Sequence, residues 1–551
     1  MKKRKPLNKP ALFLIFIISA FLVYQLMWAL MKEFYRRSEQ KVIFDVSGLK
    51  KLLFVNDKIT QHLDYSVSKS LSVSYNRDLP DTRHSGCKSL LSNAKLQLPS
   101  VSIIITYQEI DISVLHRNIA SVVHRSKPVN IKEIILIDDG SFDAQAGKLL
   151  QQVQGIKIIR NKSPKGRGVA RAQGATVASG EVIVFIDSLS ELNVDWLSPL
   201  LNRLTESPRS LVSPVFDVID SDTFEYKPRL SIHKGGIDWS LQFQWIEISS
   251  KARSTAASEP LIPFKSPILP GAVFAVRRDF FNWLGKYDVS IGASGVEDID
   301  LSLRAWLCGG KVEIVPCSRA GLIQTSKGQL GVKRVPFSSY LKGAKKVAEL
   351  WLDDYKRFFY AVRPSARMQT LLNMTISRRL KEKNKCVGFK WFLSTVYPQL
   401  LPLVTDEIAF GVIRQQDVCV ELDPGQMPLI AKPRPCTTGK DSQEWSWRKK
   451  GMIVSNGMCL TSDLGNMHGF VMVQFCQDLT SQAWYRLGLT IVHQESNFCL
   501  DSARGDVGLV ISVCVQDSPT QTWHVSSETA GPPSPDRDFS FLEEKSQLEF
   551  F

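Results

Sequence analysis

Short apolar runs, separated by segments with helical or polar patterns, dominate the first two thirds of the chain. Residues 101–106, 131–137 and 182–186 are apolar runs rich in β-branched side chains, a pattern typical of strands buried in a parallel sheet. Residues 112–123 have apolar side chains at helical spacing, which predicts a helix between the first two strands. Strand, helix and strand in this order predict a βαβ unit at the start of an α/β domain.

Carboxylates stand directly after two of these predicted strands. Asp138 and Asp139 follow the second strand, and Asp187 follows the third. Open α/β sheets bind ligands at the carboxyl ends of their strands, and many nucleotide-sugar transferases hold a metal ion there that neutralises a diphosphate. Such an ion needs oxygen or imidazole ligands. A second ligand is expected two positions after Asp187, but Leu189 stands there, so the pattern predicts an incomplete metal centre.

A repeat with a period of 39 residues organises the last quarter of the chain. Its units are Gln443-Glu444-Trp445, Gln482-Ala483-Trp484 and Gln521-Thr522-Trp523. Each unit follows a pair of cysteines, namely Cys419 and Cys436, Cys459 and Cys476, and Cys499 and Cys514. A fixed period of this size indicates units that bury one shared core. We therefore predict a three-lobed β domain, with each Trp at the centre and each disulfide closing a lobe.

The N-terminus has the pattern of a membrane anchor. Residues 11–31 are uncharged, apolar and about long enough to span a bilayer. The five basic residues among positions 1–10 predict a cytosolic N-terminus and a chain that lies mostly across the membrane. A cleaved signal peptide is the alternative, but its apolar core is usually shorter and ends at a small-residue cleavage site. Residues 32–74 are polar and weakly patterned, and we interpret them as a stem.

Composition and charge limit the classes of function and partner that fit this chain. The chain has 551 residues, enough for two or three domains, and its formal net charge is +15. The charge is spread along the chain rather than clustered in a recognisable nucleic-acid module, so no nucleic-acid partner is expected. Attraction to phosphate-bearing or acidic ligands is compatible with it. Ten cysteines fit a compartment in which disulfides persist, and the lack of a close Cys-x-x-Cys pair disfavours zinc.

Several stretches of residues 75–524 carry a family resemblance. They are NRDLPDTR (76–83), KEIILIDD (132–139), KGGIDW (234–239), LGKYD (284–288), WLCGG (306–310), PCSR (316–319), FKWF (389–392) and VYP (396–398). Together with the 39-residue repeat, they resemble the polypeptide N-acetylgalactosaminyltransferase family, which starts mucin-type O-glycosylation in the Golgi. The resemblance implies a Golgi type II membrane protein, UDP-GalNAc as donor, and Ser/Thr-containing proteins or GalNAc-glycopeptides as partners.

The resemblance also implies the domain order and two disulfides. A GT-A type α/β transferase domain is expected at 75–400, a linker at 401–411 and a ricin-type β-trefoil lectin at 412–527. The composition of the end of the chain, which is Ser/Pro-rich and charged, separately predicts a flexible tail at 528–551. Family pairing would join Cys87 to Cys317 and Cys308 to Cys386, which together with one disulfide in each lectin lobe accounts for all ten cysteines.

The site residues follow from the same resemblance. Thr106 and Asp139 match positions that contact the uridine nucleotide, and Glu297 matches an acidic residue important for catalysis. Asp187 matches an aspartate that binds Mn²⁺. The other two expected metal ligands are histidines, at positions where this chain has Leu189 and Leu322.

Other expected donor-site residues are replaced as well. Ser294-Gly295-Val296-Glu297 stands where the family has Trp-Gly-Gly-Glu, and Pro164, Thr325 and Leu330 stand where it has Arg, Arg and Tyr. Lys162, Lys165 and Arg167 lie close to Pro164 in the sequence and offer some compensating charge, although a lysine lacks the bidentate geometry of an arginine.

The lectin lobes differ in one residue that, by resemblance, accepts hydrogen bonds from sugar hydroxyls. The third lobe keeps it as Asp501, whereas the first has Glu421 and the second Thr461. Asp501 is therefore the candidate carbohydrate-binding residue, with a structural turn aspartate as the alternative. For the whole chain two hypotheses stand: a GalNAc transferase with a reduced or altered metal requirement, and a catalytically inactive binding protein that engages glycoproteins or active relatives.

Overall fold

The computed structural model describes Gln25 and residues 65–525, except for 89–97, 127–128, 143–149, 151–154, 230–232, 248–260, 325–334, 401–406, 423–428, 438–439, 449, 456, 463–468 and 478. The predicted anchor apart from Gln25, most of the predicted stem and the predicted tail lie outside these residues. Among the helices that are described, none combines the length and the apolar character that crossing a bilayer requires.

The N-terminal part folds as an α/β domain around a ten-stranded sheet. The strands of the whole domain, ten in this sheet and two in a separate pair, are β1 (Val101–Tyr107), β2 (Ile131–Asp138), β3 (Ile156–Arg160), β4 (Val182–Asp187), β5 (Ser190–Leu192), β6 (Ser210–Asp220), β7 (Tyr226–Lys227), β8 (His233–Ile237), β9 (Phe243–Glu247), β10 (Phe264–Lys265), β11 (Val273–Arg277) and β12 (Lys311–Gln324). The order in the main sheet is β10-β12-β6-β11-β4-β1-β2-β3; β5 pairs with β12, β7 pairs with β6, and β8 and β9 form a separate pair.

Helices cover both faces of this sheet. They are α1 (Val67–Ser72), α2 (Ile112–Arg125), α3 (Arg167–Val177), α4 (Leu197–Glu206), α5 (Arg278–Trp283), α6 (Glu297–Leu307), α7 (Phe337–Trp351), α8 (Lys356–Val362), α9 (Thr375–Lys383) and α10 (Phe389–Thr395). Ile104 and Phe185 point into a core cluster that includes buried residues of α3 and α6. Ile105 and Val184 point into the opposite cluster, which includes α2 and α4. The alternation along each strand places side chains on both faces, which explains the continuous apolar runs in the sequence.

The three strands predicted first lie side by side in parallel. β1 pairs with β2 on one side and with β4 on the other. In this register Thr106 lies opposite Asp187, and Tyr107 lies opposite Asp138. The predicted strands and the helix between the first two are therefore confirmed, and the sheet brings the candidate residues of β1, β2 and β4 to one edge.

The α/β domain begins earlier than expected. Helix α1, in the predicted stem, packs against α2 and is tied to it by the buried guanidinium of Arg117, which donates to the carbonyl oxygens of Ser70 at 2.7 Å, Val73 at 3.0 Å and Ser74 at 2.8 Å. These carbonyl groups lie in the last turn of α1 or directly after it, where a helix leaves its carbonyl oxygens without backbone partners. The prediction that the stem extends to residue 74 is therefore corrected: residues from Tyr65 onward belong to the folded domain.

The C-terminal part is all-β and three-lobed. Its strands are β13 (Glu407–Gly411), β14 (Ile413–Gln415), β15 (Val418–Leu422), β16 (Ala431–Pro435), β17 (Trp445–Arg448), β18 (Ile453–Ser455), β19 (Met458–Ser462), β20 (Val471–Phe475), β21 (Trp484–Leu487), β22 (Thr490–His493), β23 (Cys499–Asp501), β24 (Val510–Ser512) and β25 (His524–Val525). They form sheets in the orders β13-β17-β18-β19-β20, β16-β15-β14-β25 and β21-β22-β23-β24.

The three repeat tryptophans fill the centre of this domain, as predicted. Trp445, Trp484 and Trp523 are each at most 1% exposed, and each indole N–H donates to a backbone carbonyl, at 2.8–2.9 Å. Each therefore buries a large apolar ring without leaving its polar atom unpaired. One prediction needs adjustment: β13 lies in the predicted linker 401–411 but pairs with β17, so the lectin domain begins by Glu407.

The structure contains all five expected disulfides. Cys87 pairs with Cys317 and Cys308 with Cys386 in the α/β domain. One disulfide closes each lobe of the β domain, joining Cys419 to Cys436, Cys459 to Cys476 and Cys499 to Cys514.

Candidate functional site

The candidate nucleotide residues Thr106, Asp139 and Asp187 lie at the carboxyl ends of three adjacent parallel strands, β1, β2 and β4. Thr106 is the penultimate residue of β1, Asp187 ends β4, and Asp139 follows β2. The amide of Asp139 donates to the carbonyl of Tyr107 at 2.9 Å, which fixes the end of β2 against β1. We refer to this part of the sheet as the donor edge.

Asp139 anchors the segment that crosses the donor edge between β3 and α3. Its Oδ1 accepts from Asn161 Nδ2 at 2.8 Å and from the amide of Lys165 at 3.0 Å, and its Oδ2 accepts from the amide of Gly166 at 2.8 Å. Pro164 packs so closely that a Cβ added at Gly140 would lie 2.5 Å from its nitrogen. The carboxylate is thus engaged with backbone and side chain, and it holds the start of α3 at the donor edge.

Arg167, the first residue of α3, faces Asp187. The Nη1 of Arg167 lies 3.8 Å from Asp187 Oδ2, and its Nη2 donates to Asp298 Oδ2 at 2.5 Å. Burial raises the pKa of Asp187, and the guanidinium groups of Arg167 and Arg171 oppose that rise. Burial by itself lowers the pKa of Arg167, but the carboxylates of Asp298, Glu297 and Asp187 raise it above its ordinary value. Arg167 is therefore a permanent cation at the donor edge.

A second set of contacts holds Asp298 in place. Tyr287 donates its hydroxyl to Asp298 Oδ1 at 2.6 Å, and Arg171 lies 3.5 Å from the same oxygen. The Arg171 side chain is fully buried and lies over the rings of Phe185 and Phe274. Two arginines and a tyrosine therefore converge on one carboxylate, and this cluster fixes the orientation of Arg167.

Leu189 and Leu322 lie next to each other, close to Asp187. β5 pairs with β12 so that Leu322 lies opposite Ser190, and the amide of Ile323 donates to the carbonyl of Leu189 at 3.0 Å. Both leucines pack against the apolar cluster beneath the sheet. Within the residues that the structure describes, no group of three or more His, Cys, Asp and Glu side chains is placed to hold a metal ion.

Glu297 begins α6 and bonds to the turn before it. Its Oε1 accepts from the amides of Ser294 at 3.0 Å and Gly295 at 3.2 Å, an arrangement that satisfies N–H groups ahead of the helix. Its side chain also packs on Gly168, where an added Cβ would lie 2.8 Å from Glu297 Cγ. Glu297 is 5% exposed, so the structure assigns it at least a structural role at the start of α6.

The lectin lobes share one hydrogen-bonding arrangement built on the repeat glutamine. Gln443 donates to Glu421 at 2.7 Å, Gln482 to Thr461 at 3.2 Å, and Gln521 to Asp501 at 2.9 Å. The three candidate sugar positions are therefore equivalent in structure, as their sequence spacing predicts.

Two of these positions carry an acid, with different partners. Lys440 donates to Glu421 at 2.6 Å, so that carboxylate is paired with a cation. Asp501 instead accepts from the amide of Ala503 at 2.8 Å and from the hydroxyl of Ser512. Burial by itself raises the pKa of Asp501, but its hydrogen bonds from Ser512, Gln521 and Ala503 hold it below its ordinary value.

Sequence reasoning identified Arg167 as a nearby cation but missed its partners. Asp298, on α6, pairs with it directly, and Tyr287 and Arg171 hold Asp298 in place. One signal was available: Asp298 follows the candidate Glu297, and Tyr287 lies in the quoted LGKYD stretch. The positions of Thr325 and Leu330 cannot be compared, because residues 325–334 lie outside the described part of the chain.

Comparisons with known proteins agree with this architecture. Residues 102–282 match glycosyl transferase family 2, and residues 409–523 match the ricin-type β-trefoil lectin domain. The fold, the donor edge and these matches define the chain as a GT-A glycosyltransferase with a C-terminal lectin domain.

Individual relatives identify the family. Human polypeptide N-acetylgalactosaminyltransferase 14 is 35% identical over 476 residues, which cover 84% of this chain and 86% of that protein. Mouse polypeptide N-acetylgalactosaminyltransferase 16 is 35% identical over 484 residues, 86% of this chain and 85% of that protein. The crystal structure of GalNAc-T7 with UDP, GalNAc and Mn²⁺ matches with a TM-score of 0.74 and 26% identity, covering 87% of this chain and 92% of that one. The chain belongs to the polypeptide N-acetylgalactosaminyltransferase family.

Proposed function

We propose that this chain transfers GalNAc from UDP-GalNAc to Ser or Thr hydroxyl groups of proteins. In this reaction the bond between the sugar and the diphosphate breaks, and a bond from the sugar to the hydroxyl oxygen forms. The hydroxyl oxygen gives up its proton, and UDP leaves with the negative charge that develops on the diphosphate and can accept that proton. The observation that carries the proposal is the donor edge, where a sheet of this family's fold brings Thr106, Asp139 and Asp187 together.

The proposal includes the setting in which the reaction occurs. The apolar run at 11–31 and the basic residues before it support a single-pass type II protein of the Golgi membrane, with both folded domains in the lumen. The lectin domain would bind GalNAc-glycopeptides through Asp501. Its hydrogen-bond donors in the described structure, Ala503, Ser512 and Gln521, are neutral, whereas Glu421 is paired with Lys440.

The metal requirement of the proposed reaction differs from the family expectation. GalNAc-T7 was solved with Mn²⁺, which fits manganese as the family cofactor. In this chain two of the three expected ligand positions are Leu189 and Leu322, whose side chains have no atom that coordinates Mn²⁺. A permanent cation, Arg167, also faces the remaining ligand, Asp187. The described residues therefore do not fit Mn²⁺, and we propose a reaction that does not depend on it.

A transfer assay tests the proposal directly. The full-length chain, purified in detergent, is incubated with UDP-GalNAc and a mixture of Ser/Thr peptides and GalNAc-glycopeptides, and mass spectrometry detects added GalNAc. We expect transfer by the unmodified chain, in EDTA as well as in Mn²⁺. An Asp139→Asn variant, in which the carboxylate that holds Lys165 and Gly166 at the donor edge is lost, is expected to lose most of it.

The absence of GalNAc transfer by the unmodified chain would contradict the proposal and favour the alternative, a catalytically inactive binding protein. The Leu189→His, Leu322→His double variant then locates the defect. Activity gained only by this variant, and only with Mn²⁺, would show that loss of the metal ligands inactivated the chain.

A further inference from the structure

Arg167 carries a buried donor that faces the donor edge. Its Nη1 is inaccessible to solvent and has no hydrogen-bond partner among the described residues. The 3.8 Å to Asp187 Oδ2 is too long for a hydrogen bond. An unpaired buried donor is destabilising, and folded proteins rarely leave one without a partner. A ligand oxygen placed next to Asp187 would supply that partner.

The position of Arg167 at the edge of the sheet indicates contact with a bound nucleotide rather than a role in the core. The segment before it is held by Asp139, and its guanidinium faces Asp187 at the end of β4. Both aspartates lie at the carboxyl edge of the sheet, where α/β folds bind their ligands. A diphosphate linking a nucleoside near Asp139 to a sugar would therefore pass the guanidinium.

A metal ion and this guanidinium compete for the same place. A divalent cation bound to Asp187 would stand within a few ångströms of Arg167, and like charges at such distances repel strongly in a partly buried site. Leu189 and Leu322 add no negative or polar ligand that would offset this repulsion. The guanidinium itself is a cation whose planar set of donors matches phosphate oxygens.

The guanidinium is held in position before any ligand arrives. Its second terminal nitrogen donates to Asp298, which is itself bonded by Tyr287 and lies 3.5 Å from Arg171. The Arg171 side chain is fully buried and that of Asp298 is 10% exposed, so the cluster has little freedom to rearrange. Preorganised charges of this kind stabilise an anion without a reorganisation cost.

We propose that Arg167 takes the place of the divalent cation, so that this chain binds the diphosphate of a nucleoside diphosphate through Arg167 without a metal ion. Asp298, Tyr287 and Arg171 are the residues that position it. The inference rests on the proposed function for the identity of the nucleotide as a uridine diphosphate, and it concerns binding rather than transfer.

The first test measures binding of UDP to the full-length chain by isothermal titration calorimetry, once in EDTA and once in Mn²⁺. We expect the same dissociation constant in both buffers. Binding seen only with Mn²⁺ would overturn the inference, and so would the absence of UDP binding in both buffers. If UDP binds in EDTA but the transfer assay is silent, the inference holds and the proposed function fails.

The second test changes Arg167 while keeping its charge. An Arg167→Lys variant loses the planar fork but keeps a cation beside Asp298, so we expect it to fold and to bind UDP about 10- to 100-fold more weakly, the range of one or two charge-assisted hydrogen bonds. Unchanged affinity would overturn the role of Arg167. The melting temperature of each variant without UDP reports its folding.

A matched control comes from the opposite edge of the sheet. Arg277 lies opposite Val182, at the start of β4, and pairs on the surface with Asp279 at 3.1 Å. The Arg277→Lys variant makes the same chemical change far from Asp187, and we expect it to bind UDP as the unmodified chain does.

Discussion

At the scale of single residues, the chemistry of the donor edge depends on side chains that sequence spacing alone could only partly assign. The positions of Thr106, Asp139 and Asp187 could be predicted, because each follows or ends an apolar strand and parallel strands end at a common edge. The role of Arg167 could not be predicted in full. Its partner Asp298 is 131 positions away, and their contact depends on how α3 and α6 pack.

The ion pair between Asp288 and Lys346 should contribute stability with a definite pH dependence. Lys346 Nζ lies 2.6 Å from Asp288 Oδ2, and their side chains are 1% and 14% exposed. Burial by itself raises the pKa of Asp288, but Lys346, Ser290 and Ser377 outweigh it and hold the pKa at about 2. Because the folded pKa is below the unfolded one, the stabilisation is present above about pH 4 and is lost as the pH falls through 2.

We therefore expect Asp288→Asn to lower the free energy of unfolding by about 3 kcal/mol at neutral pH, because it leaves Lys346 buried without its counterion. Urea unfolding at a series of pH values should show the difference from the unmodified chain shrinking between pH 4 and 2. The surface control Asp279→Asn should cost less than about 1 kcal/mol. A difference in the free energy of unfolding that stays constant down to pH 2 would contradict the low pKa assigned to Asp288 in its ion pair with Lys346.

Asp501 and Glu421 should differ in sugar binding although they occupy equivalent positions. Glu421 already binds Lys440 and Gln443, whereas the partners of Asp501 in the described structure are neutral. Retention on a GalNAc column should fall in an Asp501→Asn variant and should be unchanged in a Glu421→Gln variant. Equal retention of the Asp501→Asn variant and the unmodified chain would favour a structural turn aspartate.

At the scale of elements, the sequence predicted the strands and the lobes better than the domain boundaries. Apolar runs and the 39-residue repeat reflect burial, so β1, β2, β4 and the three tryptophans lie where expected. Helix α1 and strand β13 are short, and each is fixed by partners distant in the sequence, Arg117 for α1 and strand β17 for β13. Local pattern carries no signal for such tertiary contacts, which is why both segments had been interpreted as connections.

Close packing between α7 and the turn before α6 gives a prediction at this scale. A Cβ added at Gly343 of α7 would lie 2.5 Å from both Cβ and Oγ of Ser294. Ser294 is 1% exposed. We expect Gly343→Ala to destabilise the fold by about 1–3 kcal/mol, as overpacking does, despite the better helix propensity of Ala.

A second substitution that removes the Cβ and Oγ atoms of Ser294 should restore part of the stability lost in Gly343→Ala. In a Ser294→Gly, Gly343→Ala double variant the two contacts at 2.5 Å are removed and Val296 Cγ2, at 3.2 Å, becomes the nearest atom. Its melting temperature should therefore lie above the value expected from adding the two single effects. Additive losses would show that the two residues are not coupled and would contradict the packing described here.

At the scale of the whole molecule, the fold is that of its family, whereas the chemistry of the donor edge rests on the proposed role of Arg167. The two domains meet where Ser365 bonds to Glu444 and where the Arg367 guanidinium lies 4.4 Å from the centre of the Phe410 ring. The α/β fold and the three lobes could be predicted from patterns spread over many residues, whereas the two disulfides of the α/β domain followed from the family resemblance. The chemistry of the site depends on a few side chains. There the resemblance supplied only the expected ligand positions, and it did not indicate that Arg167 faces Asp187.

Replacement of the metal ion by Arg167 at the donor edge can be seen in a crystal structure of the protein with UDP and Mn²⁺, recorded at the manganese absorption edge. We expect a diphosphate oxygen within hydrogen-bonding distance of Arg167 and no anomalous peak at Asp187. A manganese peak bonded to Asp187, with the diphosphate bound to the metal rather than to Arg167, would contradict this account.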